Sequence, residues 1–146
     1  MLFNQSAEYA IRASIAIANK PREQYALVKD LSDELGIPTH YLAKILQQLA
    51  RVRLLESARG RSGGFRLARD AESIRLIELV TPFEDVQKAQ HCVLGLKLCL
   101  DDNPCPMHEF WKSVRTRYFK EIETKTLGDL ARFEKRRLAG KAPAAR

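Results

Sequence analysis

Two amphipathic helical patterns meet at Gly36-Ile37-Pro38, and a glycine-rich basic stretch follows the second of them. Leu27, Leu31 and Leu35 share one stripe of a helix predicted over 27–35. Gly36 ends it, because glycine adopts the left-handed backbone that closes a helix without steric cost. A further helix is predicted from about Thr39 to residue 52. In it Leu42, Ile45, Leu46 and Leu49 follow the i, i+3, i+4, i+7 rule and turn inward. His40, Tyr41, Lys44, Gln47, Gln48 and Arg51 are left on the outer face. Two helices joined by a short glycine-containing turn are the signature of a helix-turn-helix, whose second helix enters the major groove of DNA. A plain helical hairpin would share the pattern, so the next segment carries weight.

Residues 54–58 and 65–68 read as two short strands, with Arg59-Gly60-Arg61-Ser62-Gly63-Gly64 between them. The three glycines are expected to supply the positive φ angles of a tight hairpin. The loop is basic and has no apolar anchor. A basic hairpin directly after a recognition helix is a wing, able to reach phosphates or an adjacent minor groove. The predicted fold is therefore mainly α with a small β-hairpin (α+β): a winged helix-turn-helix, with Thr39, His40, Tyr41, Lys44, Arg59 and Arg61 as its DNA-contacting residues.

Charge supports this placement. The 146 residues carry a net +7, of which the stretch from Arg132 onward accounts for +5. Between Arg51 and Asp70 six arginines stand against Glu56 and Asp70, a local +4 that suits a polyanion.

Elsewhere, residues 5–20 read as a helix capped by Ser6 and stopped by Pro21. Residues 72–84 read as a short strand and helix. From Phe83 to Met107 no period holds, and an irregular stretch of that length is usually functional or disordered. From His108 helical spacing returns to about residue 123. Phe110, Trp111, Val114, Tyr118, Phe119 and Ile122 are more large apolar side chains than one packing face uses. The helix is expected to serve both its own subunit and a second copy, and a two-fold dimer sets two reading heads about one DNA turn apart. Thr126-Leu127-Gly128-Asp129-Leu130 reads as a short turn. The expected divisions are a DNA-binding domain over 1–82, a cysteine loop over 83–107, a dimerisation helix with closing turn over 108–132, and a disordered basic tail over 133–146.

The irregular loop holds all three cysteines, in the pattern Cys92-x6-Cys99-x5-Cys105-x2-His108. No apolar run approaches the ~20 residues of a membrane span. The start of the chain has no basic region followed by an apolar stretch, so a cytoplasmic location is expected. Disulfides are disfavoured there, and a metal centre becomes the expected use of three thiols in a polar segment. Structural zinc favours close Cys-x2-4-Cys knuckles, which both cysteine gaps here exceed. The wide gaps suit a bulkier iron–sulfur cluster better, with zinc as the alternative.

These residues resemble the Rrf2 family of bacterial winged-helix regulators over about residues 1–132. The resemblance rests on Ala10-Ile11-Arg12-Ala13, on 35–42 (Leu-Gly-Ile-Pro-Thr-His-Tyr-Leu) and on the wing from Arg59 to Ala68. It also rests on Cys92-Val93-Leu94-Gly95 through Cys105-Pro106-Met107-His108, on Trp111 and on 126–130. It implies a homodimeric repressor or activator acting on a palindromic operator, with a [2Fe–2S] or [4Fe–4S] cluster on Cys92, Cys99 and Cys105. Loss, oxidation or nitrosylation of that cluster would change DNA affinity. In IscR-like members a histidine shortly after the third cysteine is the fourth ligand, which His108 matches. In NsrR-like members an acidic residue in the first helix of the other subunit fills that place, which Glu8 matches. Both candidates stay open. Where IscR-like proteins carry a glutamate two residues after the recognition-helix tyrosine, this chain has Ala43, so their operator preference does not carry over.

No phosphate-binding loop, nucleophile–base pattern or paired carboxylates suggest an enzyme. The readings that compete with a cluster-sensing regulator are a winged-helix repressor with a structural zinc site, and a redox or cluster-carrying protein that does not bind DNA.

Overall fold

The computed structural model describes residues 2–96 and 99–140. Helix α1 (Gln5–Ala18) is capped by Asn4, whose side chain accepts from the Ala7 amide at 2.8 Å, and not by Ser6 as predicted. Ser6 has turned toward another helix instead. Ala7, Ala10, Ala13 and Ala16 line the buried face of α1, and their small side chains let neighbouring elements approach closely. The segments 28–35, 39–51, 64–67, 76–80 and 127–140 all touch α1.

Helix α2 (Val28–Leu35) ends at Gly36, with φ at 67°. Helix α3 (Thr39–Arg51) follows after three residues, Gly36, Ile37 and Pro38, and buries Leu42, Ile45, Leu46 and Leu49, the four positions that its periodicity assigned inward. Just past its end stands Arg53, a non-glycine residue at φ 61°, and the Leu54 amide bonds back to Leu49 O at 3.0 Å. This is the closing geometry that glycine usually supplies.

The wing consists of β1 (Leu55–Ala58) and β2 (Gly64–Leu67), antiparallel, with Leu55 opposite Leu67 and Ala58 opposite Gly64. Positive φ falls on Gly60 and Gly64 only. Gly63 matters for a different reason: a Cβ there would collide with the Ala58 and Arg59 backbone. Ala26 extends the hairpin by exchanging backbone bonds with Phe65 at 2.7 and 2.9 Å, which ties the wing to the turn before α2.

The strand expected near residue 72 is reduced to one bridge between Arg75 and Thr126, after a 3₁₀ turn at Ala71–Ser73. Helix α4 (Leu76–Val80) and a 3₁₀ turn at Val86–Gln90 lead into the cysteine loop, and helix α5 (His108–Thr124) closes it. The expected short turn at 126–130 is instead the start of helix α6 (Leu127–Gly140). Thr126 and Asp129 form its reciprocal cap: the Thr126 amide donates to Asp129 at 2.9 Å, and the Asp129 amide donates to Thr126 Oγ1 at 3.1 Å. Residues 133–140, expected to be disordered, are thus helical. The rest of the predicted tail, 141–146, lies outside the described residues.

The main core gathers α1, α2, α3 and the wing with Ile74, Leu79 and Leu127. A smaller cluster joins Ala7, Val80, Val86 and Ile122 between α1, α4 and α5.

Candidate nucleic-acid interface and cysteine loop

The reading head is held from behind by polar contacts. Arg12 on α1 donates to the Leu35 carbonyl at 2.6 Å, which places a cation on the negative C-terminal end of α2. In the turn, Ser32 Oγ donates to Ile37 O at 2.6 Å and meets Thr39 Oγ1 at 2.9 Å. Pro38 provides no capping side chain to α3, whose first intrahelical bond runs from the Leu42 amide to Pro38 O. The amides of Thr39, His40 and Tyr41 therefore stand at the positive end of the helix with no intrahelical acceptor, an arrangement suited to a phosphate.

Thr39, His40 and Lys44 are exposed. Tyr41, placed on the outer face by the sequence, is half-buried. Its hydroxyl lies 2.9 Å from Ser6 Oγ, and its ring packs edge-on against Tyr9 at 5.6 Å. Tyr41 thus braces α3 against α1.

The arginines of the basic cluster divide into two groups. Arg66 pairs with Glu56 at 3.1 Å and stacks over the Tyr25 ring at 4.4 Å. Arg69 pairs with Glu78. Arg51, Arg53, Arg59 and Arg61 remain exposed, the last two on the wing tip. Pairing with Glu56 neutralises much of the wing stem, so the positive charge is concentrated at the tip.

The cysteine loop is held against one stripe of α5 formed by His108, Trp111, Lys112 and Arg115, at i, i+3, i+4 and i+7. Trp111 Nε1 donates to His91 O at 2.7 Å, and Arg115 donates to Gln90 O at 3.0 Å. Lys112 Nζ reaches Asp101 Oδ1 at 2.8 Å. His108 is 3% exposed, with Nδ1 at 3.2 Å from Cys99 Sγ and Nε2 at 2.8 Å from Asp101 Oδ1. The Lys112 ammonium, and after it His108, hold the Asp101 carboxyl down at about 2. From the sequence Asp101 had no role beyond loop polarity, because an isolated aspartate in an aperiodic segment carries no signal.

Cys92, Cys99 and Cys105 are free thiols of intermediate exposure. Among the described residues, no three His, Cys, Asp or Glu side chains gather closely enough to hold a metal ion. Cys99 and His108 are the only two of the predicted donors that an observed hydrogen-bonding contact brings together among those residues. Cys92 lines a groove of about 830 Å³ with Trp111, Val114 and Tyr118. Glu8 lies on α1 with intermediate exposure.

A family model described as Rrf2, iron-dependent transcriptional regulator, matches residues 3–132. The chain belongs to the Rrf2 family. Among its relatives is the HTH-type transcriptional regulator IscR of Vibrio campbellii, 28% identical over 130 residues that span 89% of this chain and 77% of the relative. The HTH-type transcriptional regulator NsrR of Shouchella clausii is 27% identical over 131 residues, 89% of this chain and 88% of the relative. The solved structure of CymR, the global cysteine regulator of B. subtilis, matches with a TM-score of 0.74 at 22% identity, over 90% of this chain and 96% of that one, and bears out the fold. As an Rrf2 protein, the chain is a DNA-binding transcriptional regulator. Among the described residues, no helix is long and apolar enough to cross a membrane.

Proposed function

We propose that this Rrf2 protein is a cytoplasmic homodimer that binds a palindromic operator and senses redox state, nitric oxide or iron–sulfur status through a cluster on Cys92, Cys99 and Cys105. The observation that carries this reading is the buried His108 imidazole, whose Nδ1 faces Cys99 at the head of a helix stapled to the cysteine loop. Three thiols and an imidazole fit an iron–sulfur cluster by donor chemistry. Such a cluster, [2Fe–2S] or [4Fe–4S], supplies electron transfer and ligand exchange at iron. His108 is the fourth ligand that the geometry favours, and Glu8 of a second copy is its rival.

On DNA, α3 enters the major groove with Thr39, His40 and Lys44 nearest bases or phosphates and Tyr41 at the rim. Arg59 and Arg61 reach the adjacent groove. Phe110 at 60% and Val114 at 38% exposure form a free apolar edge of α5 that suits a second copy of the chain. Because four α5 side chains grip the loop, a rearrangement of the loop is passed to α5 and so to the spacing of the two heads. A coupling of about 1–3 kcal/mol, roughly 5–150-fold in affinity, suffices for regulation.

The same donor set, three cysteines and a histidine, also describes structural zinc, which is the second reading. Anaerobic purification followed by a visible spectrum and iron, zinc and sulfide analysis separates the two. Iron with acid-labile sulfide supports the sensor. A colourless protein with one zinc per chain sinks sensing and leaves DNA binding intact.

A further inference from the structure

We propose that Asp101 is a positioning residue that keeps the His108 proton on Nε2 and presents Nδ1, beside Cys99, as the metal-ligating atom. The proposal rests on the metal-centre reading above and adds which nitrogen binds and what holds it there.

His108 Nε2 lies 2.8 Å from Asp101 Oδ1. A carboxylate can only accept, so a nitrogen at that distance must carry the proton. The neutral imidazole then has its lone pair on Nδ1, the nitrogen 3.2 Å from Cys99 Sγ. Lys112 Nζ binds the same Oδ1 at 2.8 Å and fixes the carboxylate one helical turn along α5 from His108. The imidazole itself is buried, which restricts ring rotation, whereas the Asp101 side chain is 73% exposed. Asp101 can therefore be replaced without opening the core. Metal-bound histidines generally donate their second ring N–H to a carboxylate or carbonyl, which sets the tautomer and raises ligand basicity. Asp101 stands in that relation to His108.

The test uses metal-free full-length protein under reducing conditions, with cobalt(II) as the probe and thiolate-to-cobalt absorption as the readout. Wild-type protein is expected to bind cobalt(II), and Asp101→Ala to bind it about 10–100-fold more weakly with unchanged circular dichroism. Asp101→Asn, which keeps an acceptor oxygen, should recover part of the loss. In parallel, long-range 1H–15N spectra of the wild-type protein should show His108 protonated at Nε2, with an exchange-protected N–H signal that Asp101→Ala abolishes. Protonation at Nδ1, cobalt affinity unaffected by Asp101→Ala, or no cobalt uptake by the wild type each overturns the proposal. Failure of cluster sensing is read separately, as absence of iron and sulfide from anaerobically purified protein that still binds cobalt(II) in this way.

Discussion

Ser6 Oγ and the Tyr41 hydroxyl meet at 2.9 Å, which ties the start of α1 to the start of α3. The bond joins residues 35 positions apart and sits at the rim of the main core. Ser6→Ala and Tyr41→Phe should each lower unfolding free energy by about 0.5–1.5 kcal/mol. The double variant should cost less than the sum, because each change removes the same bond. Denaturant titration of the four proteins checks this, and strict additivity would remove the brace.

Wing arginines should differ by position. Arg59→Ala is expected to weaken operator binding by about 1–3 kcal/mol if it reads a base edge, or to reduce the salt slope by about 1 if it contacts phosphate. Arg66→Ala should cost less binding and more stability, since its guanidinium is already shared between Glu56 and the Tyr25 ring. Affinity measured across a salt series, beside thermal melts, separates the two effects.

Arg53 closes α3 at φ 61°, a conformation that costs residues with a Cβ and is free for glycine. Arg53→Gly should raise stability by about 0.5–1 kcal/mol even though it removes a charge. Unfolding curves that show a loss would mean that the arginine side chain stabilises the turn by more than its backbone costs.

Glu78 links the segment after the wing to α4. Burial pushes its carboxyl up, but hydrogen bonds from Arg69 and the Arg75 amide prevail and hold it below the usual 4.5. A carboxyl lowered on folding contributes stability above its unfolded value, and that stability is lost as pH falls through the folded value. The midpoint temperature should therefore drop with acid below about pH 4.5, and Glu78→Gln should flatten that part of the curve. An unchanged slope in the variant would assign the acid sensitivity to other carboxyls.

The reading head was legible because its signals are periodic: the four inward positions of α3 and the Gly36 break need no tertiary context. The ends of elements were less so. Ser6 and Asn4 are both good caps; Ser6 Oγ is engaged by the Tyr41 hydroxyl, while Asn4 is anchored by its bonds to Phe83 O and Glu84. The Lys/Arg/Ala/Pro-rich composition of 133–146 suggested disorder, yet Thr126 and Asp129 form a capping box that starts α6, and pairs such as Arg137 with Glu134 line it. Placing Tyr41 on the outer face missed the Ser6 hydroxyl and the Tyr9 ring on α1, against which it is half-buried. His108 closes the cysteine pattern, and the resemblance to the Rrf2 family made it a candidate fourth ligand beside Glu8. Asp101, which comes from an aperiodic stretch, became visible only through its distance to that histidine.

The alanine face of α1 has a further consequence. Ala7 belongs to the cluster with Ile122 of α5, while Ala10, Ala13 and Ala16 belong to the core of the reading head. Leu127, far along the chain, is fully buried in that same core, and Asn19 donates to the Ala131 carbonyl at 3.1 Å. A boundary near residue 82 therefore does not separate folding units, since α6 packs against α1. Cutting the chain there strips the outer wall from α1, so the N-terminal fragment would expose the surface that α5 and α6 cover. The whole described chain should unfold in one cooperative step.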